Sequence, residues 1–353
     1  MSWVMLAIGL VLLITGADLL VRGAARLAAS LGVLALVIGL TVVAFGTSAP
    51  ELAVSVKSAW SGQAELAVAN VVGSNIFNIL CILGLAALIS PLVVSAQLIR
   101  QDVPIMILVS AVATAMAWDG SILKWEAALL FAGLLVYTGF LFLQGRKQGL
   151  ATADADTAEL LEQQAPLWKN LALLLVGLGL LVLGARFLVQ SAVQIASSFG
   201  VSDAVIGLTI VAIGTSLPEV MTSVVATLKG QRDIAIGNVV GSNIFNILCV
   251  LGLSGLVSPA PLLANMQMAS LDMPVMLSAA LLCLPLFWVG ASLSRFEGGL
   301  FLVLYAVYVW YLIALTLNLG YLNDLRAAII FVLVVVAVYL ATLIAGDLRR
   351  RLR

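Results

Sequence analysis

The stretch NVVGSNIFNILC at residues 70–81 occurs a second time, unchanged, at residues 238–249. A longer repeat surrounds this identity at the same offset of 168 residues. In it, IGLTVVAFGTSAPELAVSV at residues 38–56 corresponds to IGLTIVAIGTSLPEVMTSV at residues 206–224. Neither chance nor a shared helical composition produces twelve consecutive identical residues. The chain is therefore predicted to contain two copies of one structural unit.

The composition indicates a membrane protein. Of the 353 residues, 63% are hydrophobic and only 10% are charged, and the mean hydropathy is +1.19. Soluble domains are about 45–50% apolar and about 25% charged. Apolar stretches of roughly 17–25 residues recur along the chain, and each is long enough to cross a bilayer as a helix. Because backbone amides in lipid must be paired within their own segment, we expect an all-α membrane protein.

Charge and residue usage exclude several function classes. The formal net charge is zero, which gives no reason to expect nucleic acid as a partner. The chain has no His, and so lacks the commonest transition-metal ligand. Cys81, Cys249 and Cys283 lie in apolar runs without CxxC spacing and are interpreted as small buried residues. We expect no resident cofactor and no obligate protein partner, only transported ions and the lipid bilayer.

Eleven membrane spans are predicted, and they divide into two units of five helices and one further helix. Since five is odd, the second unit is expected to enter the membrane upside down. The fold class is then two inverted five-helix repeats plus one extra C-terminal transmembrane helix. The predicted spans are residues 2–21, 32–57, 65–90, 102–118, 125–144, 168–190, 201–228, 233–257, 271–290, 296–317 and 325–346. The predicted division is 1–144 (first repeat), 145–167 (cytoplasmic linker), 168–317 (second repeat) and 318–353 (additional helix with a basic cytoplasmic tail).

The distribution of basic residues predicts the orientation. Loops on the cytoplasmic side of a membrane protein carry an excess of Lys and Arg. With the N-terminus outside and the C-terminus in the cytoplasm, only Lys57, Lys124, Arg186 and Arg326 of the 17 basic residues fall on the outer side. We therefore expect a multi-pass protein of the cell membrane. Inverted repeats are typical of secondary transporters, which bind substrate near the bilayer midplane.

Two polar motifs interrupt the spans at mid-length. GTSAPE at residues 46–51 lies within the second span, and GTSLPE at residues 214–219 lies within the seventh. A carboxylate at this depth is costly unless it faces the protein interior, so Glu51 and Glu219 are candidate functional residues. The proline before each glutamate removes a backbone hydrogen bond and frees a carbonyl one turn earlier. Ser48 and Ser216 precede the glutamates by three positions and share their helix faces.

The spans that follow supply more oxygen atoms. Ser74 and Asn78 are four residues apart, as are Ser242 and Asn246, so each pair shares one helix face. Carboxylates, amides, hydroxyls and freed carbonyls are all oxygen donors. Ca²⁺ takes six to eight such ligands in flexible geometry. The two motif pairs therefore predict a cation site that could accept Ca²⁺ or the similarly sized Na⁺.

Four further polar residues are interpreted structurally. Asp18 precedes Arg22 by four positions and is expected to form a local ion pair with it. Asp102 and Asp272 precede prolines at the start of their spans and are expected to cap helices. Asn75 and its repeat counterpart, residue 243, are expected to brace helices.

With both motifs present in tandem, the sequence resembles the cation/calcium exchanger superfamily, and within it the prokaryotic sodium/calcium exchangers. The resemblance covers the first ten spans. It implies that the first and sixth spans slide against the rest of the protein. It also implies ion ligands from Thr47, Ser48, Glu51, Ser74, Asn78, Thr215, Ser216, Glu219, Ser242 and Asn246, together with the backbone carbonyls of Ala44 and Ala212.

One position departs from the family pattern. Many sodium/calcium exchangers carry an acidic residue where this chain has Asn246. The central site then offers two formal negative charges, which balance one Ca²⁺ or two Na⁺. A third Na⁺ would leave excess charge in a medium of low dielectric constant. The resemblance therefore does not extend to three-to-one electrogenic exchange.

Several functions are compatible with these residues. The first is an antiporter that exchanges Ca²⁺ for Na⁺ by alternating access. The second is a Ca²⁺/H⁺ antiporter in which the same glutamates carry protons, and the third is a cation channel. The dense hydroxyl groups favour Na⁺ over a proton, and two copies in one chain fit alternating access better than a symmetric pore. No nucleophile–base pair, HExxH or nucleotide motif is present, so we do not expect an enzyme.

Overall fold

A computed structural model describes residues 2–149, 166–199, 212–317, 320 and 322–351. These residues are almost entirely helical. The middle of the predicted linker and the start of the predicted seventh span, residues 200–211, lie outside the described part. The first half contains helices α1 (Ser2–Leu31), α2 (Ala35–Thr47), α3 (Ala49–Trp60), α4 (Ala64–Ile89), α5 (Leu98–Asp119) and α6 (Lys124–Gly149).

The second half repeats this order of elements. It contains helices α7 (Leu167–Ser198), α8 (Ala212–Gly214), α9 (Leu217–Leu228), α10 (Arg232–Val257), α11 (Met268–Trp288) and α12 (Arg295–Thr316), followed by α13 (Leu322–Arg351). Over the described ranges, eight helices are long and apolar enough to cross a membrane, or nine if the bent pair α2 and α3 forms one span. A multi-pass membrane protein is confirmed, and the count of eleven spans stays a prediction.

The expectation of an all-α protein is incomplete in the connections between helices. The described ranges contain four two-residue strands: β1 (Leu92–Val93), β2 (Ser121–Ile122), β3 (Leu262–Leu263) and β4 (Ser292–Leu293). β1 pairs antiparallel with β4, and β2 pairs antiparallel with β3. These short ladders satisfy backbone groups that leave the helices, while one side chain of each strand is fully buried. Both ladders join the first half to the second.

Two helices form the centre of the molecule. In the most apolar window of α10, 94% of the residues are buried, and in α4 the share is 72%. The corresponding share is only 22% in α6 and in α12, which therefore lie at the periphery. The main apolar core includes residues of α4, α10 and the flanking helices α5 and α11. The two copies of NVVGSNIFN thus lie at the centre of the bundle.

Helices α1 and α7 pack against each other with almost no space between their backbones. A Cβ atom added to Gly16 would lie 2.7 Å from Leu181 N, and one added to Gly177 would lie 2.5 Å from Leu20 N. Gly9 and Gly184 make the equivalent close contact further along the pair. Small residues at such positions permit helix backbones to approach closely in membranes.

The expectation is confirmed for Asp18 and wrong for Asp102 and Asp272. Asp18 forms the predicted ion pair with Arg22, with 2.9 Å between Oδ2 and Nε, and also pairs with Lys229 at the end of α9. Asp102 and Asp272 make no side-chain capping bond. Each instead accepts a hydrogen bond from a tyrosine of the following helix, Tyr137 at 3.3 Å and Tyr308 at 2.8 Å. The reason is that the carboxylates turn away from their own backbone toward the neighbouring helix.

We expect Gly177→Ala to lower the thermal unfolding midpoint of the protein purified in detergent, because α1 and α7 must separate to admit the methyl group. Overpacking of this kind costs about 1–3 kcal/mol. Gly179 on the same helix has no atom within 4 Å of an added Cβ. Gly179→Ala is the matched control and should leave the midpoint unchanged or raise it, since Ala favours helix over Gly by about 1 kcal/mol. Equal effects of the two substitutions would contradict the close packing.

Candidate functional site

Both GTS-x-PE motifs lie at breaks between two helices. α2 and α3 meet at Ser48, with φ −81° and ψ 5°, and the bend between them is 47°. In the second half, α8 and α9 are separated at Ser216, with φ −88° and ψ 6°. A proline stands near the start of the second helix in each case, where its missing N–H is not needed. Glu51 and Glu219 therefore lie in the first turns of α3 and α9, where a helix N-terminus favours negative charge.

The two motifs meet through crossed hydrogen bonds. Ser48 Oγ donates to Glu219 Oε1 at 3.0 Å, and Ser216 Oγ donates to Glu51 Oε1 at 2.8 Å. Each serine thus donates a hydrogen bond to the glutamate of the other repeat. Glu51 is 0% and Glu219 is 1% exposed, so both carboxylates lie deep within the protein. Two residues 168 positions apart in the chain share one buried polar site.

Helices α4 and α10 contribute further hydroxyl groups. Ser74 Oγ lies 3.3 Å from Ser216 Oγ, beside the Glu51 carboxylate. Thr47 Oγ1 donates to Asn238 Oδ1 at 3.0 Å. Ser242 is buried, and Thr215 is partly buried. The two contacts place Thr47 and Ser74 of the first repeat against residues of the second repeat in the core.

Two asparagines that the sequence reasoning did not select fix the broken helices in place. Asn70 Nδ2 donates to Glu51 O at 3.3 Å and to Ser55 Oγ at 2.9 Å. Asn238 Nδ2 makes the same two bonds in the second repeat, to Glu219 O at 3.3 Å and Ser223 Oγ at 3.0 Å. The available signal was their position, because each opens the twelve-residue stretch that the repeats share.

Asn78 and Asn246 begin π-helical segments. These segments are Asn78–Leu83 in α4 and Asn246–Leu251 in α10. The first packs against α9 and the second against α3, so each amide lies on a segment that contacts the glutamate helix of the other repeat. Single π turns within α-helices occur frequently at functional sites.

Within the described residues, 14 buried side-chain oxygen atoms have no hydrogen-bond partner, and several belong to the predicted ligands. Six of them belong to this set: Glu51 Oε2, Asn78 Oδ1, Thr215 Oγ1, Glu219 Oε2, Ser242 Oγ and Asn246 Oδ1. A buried polar atom left unpaired costs about 1–3 kcal/mol, so such atoms are rare unless something else satisfies them. Within the described residues no cluster of three acidic, His or Cys side chains is found. The site therefore combines two charges with neutral oxygen donors.

The backbone carbonyls of the predicted set differ between the repeats. Ala44 O accepts the N–H of Ser48 at 3.0 Å, so part of its hydrogen-bonding capacity is used by its own helix. In the second repeat the N–H of Ser216 donates instead to Ile213 O at 3.1 Å. This leaves Ala212 O without that bond. Ion binding by either carbonyl stays a prediction.

We expect Asn238→Asp to destabilise the protein, because the isosteric carboxylate still accepts from Thr47 but cannot donate to Glu219 O. The substitution turns this hydrogen bond into a contact between two buried oxygen atoms, and losing one partner of a buried hydrogen bond costs about 1–3 kcal/mol. The measurement is the thermal unfolding midpoint in detergent. Thr316→Ala, which removes an exposed hydroxyl bonded only to its own helix, is the control. A midpoint equal to that of the control would contradict the bracing role.

The chain is similar in sequence and fold to known proteins. Residues 1–143 and 169–314 match the sodium/calcium exchanger protein family. The chain is 40% identical over 278 residues to the putative antiporter CaxA of Alkalimonas amylolytica, which covers 76% of this chain and 85% of that protein. It is 34% identical over 302 residues to the sodium/calcium exchanger MaX1 of Methanosarcina acetivorans, covering 75% and 85%. A solved structure of the sodium-calcium exchanger NCX_Mj is similar at 32% identity and a TM-score of 0.76, covering 87% of this chain and 97% of that one.

Proposed function

This chain belongs to the sodium/calcium exchanger family, and we propose that it is a secondary active antiporter that exchanges Ca²⁺ for Na⁺ across the cell membrane by alternating access. The observation that carries the proposal is the pair of crossed serine–glutamate hydrogen bonds, together with buried oxygen atoms of the predicted ligands that have no partner in the described part of the chain. Oxygen atoms so placed are suited to replace the hydration shell of a cation. The ions are substrates, and the proposal includes no resident cofactor and no enzymatic activity.

The proposed ligands are the residues of the two motif pairs. Glu51 and Glu219 supply the charge, and six unpartnered oxygens match the lower end of the six to eight ligands that Ca²⁺ takes. Those six oxygens belong to Glu51, Glu219, Asn78, Thr215, Ser242 and Asn246. The remaining proposed ligands are Thr47, Ser48, Ser74 and Ser216, with the carbonyls of Ala44 and Ala212. Oxygen donors without His or Cys favour hard cations over transition metals.

The charge of the site favours electroneutral exchange. Two carboxylates balance either one Ca²⁺ or two Na⁺, and Asn246 adds no charge. A third Na⁺ would place an unbalanced charge at a position from which water is excluded, where its electrostatic cost is high. The proposed stoichiometry is therefore two Na⁺ for each Ca²⁺.

The proposed architecture is two inverted five-helix repeats with about eleven spans, the N-terminus outside and the C-terminus in the cytoplasm. It is supported by the pairing of β-strands between the two halves. β1 and β3 follow equivalent helices, and each pairs with the second strand of the opposite half, as a two-fold relation between the halves requires. The division at residues 144–168 and the additional segment 318–353 belong to this proposal.

We expect Glu51→Gln and Glu219→Gln to abolish Ca²⁺ uptake driven by an outward Na⁺ gradient in liposomes, because each removes half of the charge that balances the ion. Glu126→Gln is the control, since this acid accepts a hydrogen bond from Leu123 N in the connection before α6 and can still do so as an amide. An unchanged unfolding midpoint shows that a variant is folded. Full uptake by either glutamate variant would refute the proposed site.

The same liposomes separate the alternatives. Uptake driven by a pH gradient without Na⁺ would support Ca²⁺/H⁺ exchange by the same glutamates, and Ca²⁺ flux without a coupled gradient would support a channel. An imposed membrane potential should leave Na⁺-driven uptake unchanged if two Na⁺ exchange for one Ca²⁺. Acceleration by a potential that is positive on the side from which Na⁺ leaves would indicate that more than two Na⁺ exchange for each Ca²⁺ and would contradict that stoichiometry.

The inverted arrangement predicts opposite accessibility at equivalent positions. Gln63 and Gln231 are 168 residues apart, and each precedes a central helix without making a side-chain capping bond. In a variant that lacks the three native cysteines, Gln63→Cys should react with a membrane-impermeant maleimide from outside the cell. Gln231→Cys should react only after the membrane is permeabilised. Labelling of both from the same side would contradict the inverted repeat.

A further inference from the structure

The amides at the crossing of α4 and α10 do not follow the symmetry of the sequence. Asn246 Nδ2 donates to Asn75 Oδ1 at 3.0 Å, so an asparagine of the second repeat is held by one of the first. The counterpart contact is not made. Asn243 Nδ2 donates to Val239 O of its own helix at 2.8 Å, and neither polar side-chain atom of Asn78 has a partner among the described residues. Because residues 70–81 and 238–249 are identical, the difference is one of conformation.

The hydrogen bonds of Asn75 fix the direction of the Asn246 amide. Asn75 Nδ2 donates to Asn243 O at 3.2 Å, and a backbone carbonyl can only accept. The amide of Asn75 therefore cannot turn over, and its Oδ1 must face Asn246. An acceptor in that place requires the NH₂ group of Asn246. The remaining polar atom of that side chain, Oδ1, is buried and accepts no hydrogen bond from any residue that the structure describes.

We propose that Asn75 is a positioning residue that fixes the side-chain oxygen of Asn246 toward the transported ion. The proposal rests on the proposed function. An amide is neutral and has two different ends, and in the reversed orientation Asn246 would present two hydrogen atoms to a cation. The segment that Asn246 opens packs against α3, which carries Glu51. A fixed orientation of the amide therefore supplies an oxygen ligand at this position, where another residue could supply a carboxylate.

A double-mutant cycle separates positioning from packing. Asn75→Ala frees the Asn246 amide to turn, and should weaken Ca²⁺ binding by about 10- to 100-fold, the range for residues that orient metal ligands. In the Asn246→Asp background the same substitution should not weaken Ca²⁺ binding, because both carboxylate oxygens accept and either can face the ion. In that background Asn75→Ala should even strengthen Ca²⁺ binding, because it removes the Asn75 oxygen that would face and repel a carboxylate oxygen of the aspartate.

The measurement is the Ca²⁺ concentration that gives half-maximal thermal stabilisation of the purified full chain in detergent, with Na⁺-driven uptake as a second readout. Asn243→Ala is the matched control, because it removes the same amide from the equivalent position of the other repeat. It should leave the Ca²⁺ concentration near the wild-type value. The midpoint without Ca²⁺ reports any loss of folding separately from the loss of binding.

Three results would overturn the inference. Equal weakening by Asn75→Ala in both backgrounds would show a packing role only. Equal weakening of Ca²⁺ binding by Asn75→Ala and Asn243→Ala would show that Asn75 has no orienting role that Asn243 lacks. An absence of Ca²⁺ stabilisation in the wild-type protein would instead remove the proposed function, and this inference with it.

Discussion

Each buried carboxylate is held by a serine of the opposite repeat, and the rest of the site depends on this exchange. A charge in the core without a partner is very costly, so neither glutamate can be accommodated by its own repeat alone. The breaks at Ser48 and Ser216 make the exchange possible, because they place serine and glutamate at the start of a new helix. Asn70 and Asn238 then tie the backbone of that helix to the central helices α4 and α10.

Around this centre the helices are packed in two different ways. α4 and α10 are enclosed by other helices, whereas α1 and α7 lie at the side and contact each other almost backbone to backbone. Helices in such close contact move together more readily than apart. Joint movement of this pair is what the sliding of the first and sixth spans that the resemblance implies would require. Asp18 of α1 also pairs with Lys229 at the end of α9.

Sequence reasoning found the acidic centre because Glu51 and Glu219 stand in duplicated motifs within apolar spans, where charge is rare. It could not find the crossed serine bonds, since motif spacing relates residues along a helix and not between repeats. Asn70 and Asn238 were missed although they lie in the identical stretch, because an asparagine at a helix start has many ordinary roles. The capping role expected of Asp102 failed for a related reason. Its tyrosine partner is 35 positions away, and no local rule reports that contact.

The repeat also shows where identical sequence stops determining structure. Asn75 and Asn243 have the same neighbours in the chain, yet only Asn75 reaches across to an amide of the other repeat. A counterpart bond from Asn78 to Asn243 would make the two repeats alike, but Asn243 donates instead to Val239 O of its own helix. In the proposed site, this difference lets the neutral Asn246 present its oxygen to the ion, which compensates in part for the charge that the site lacks.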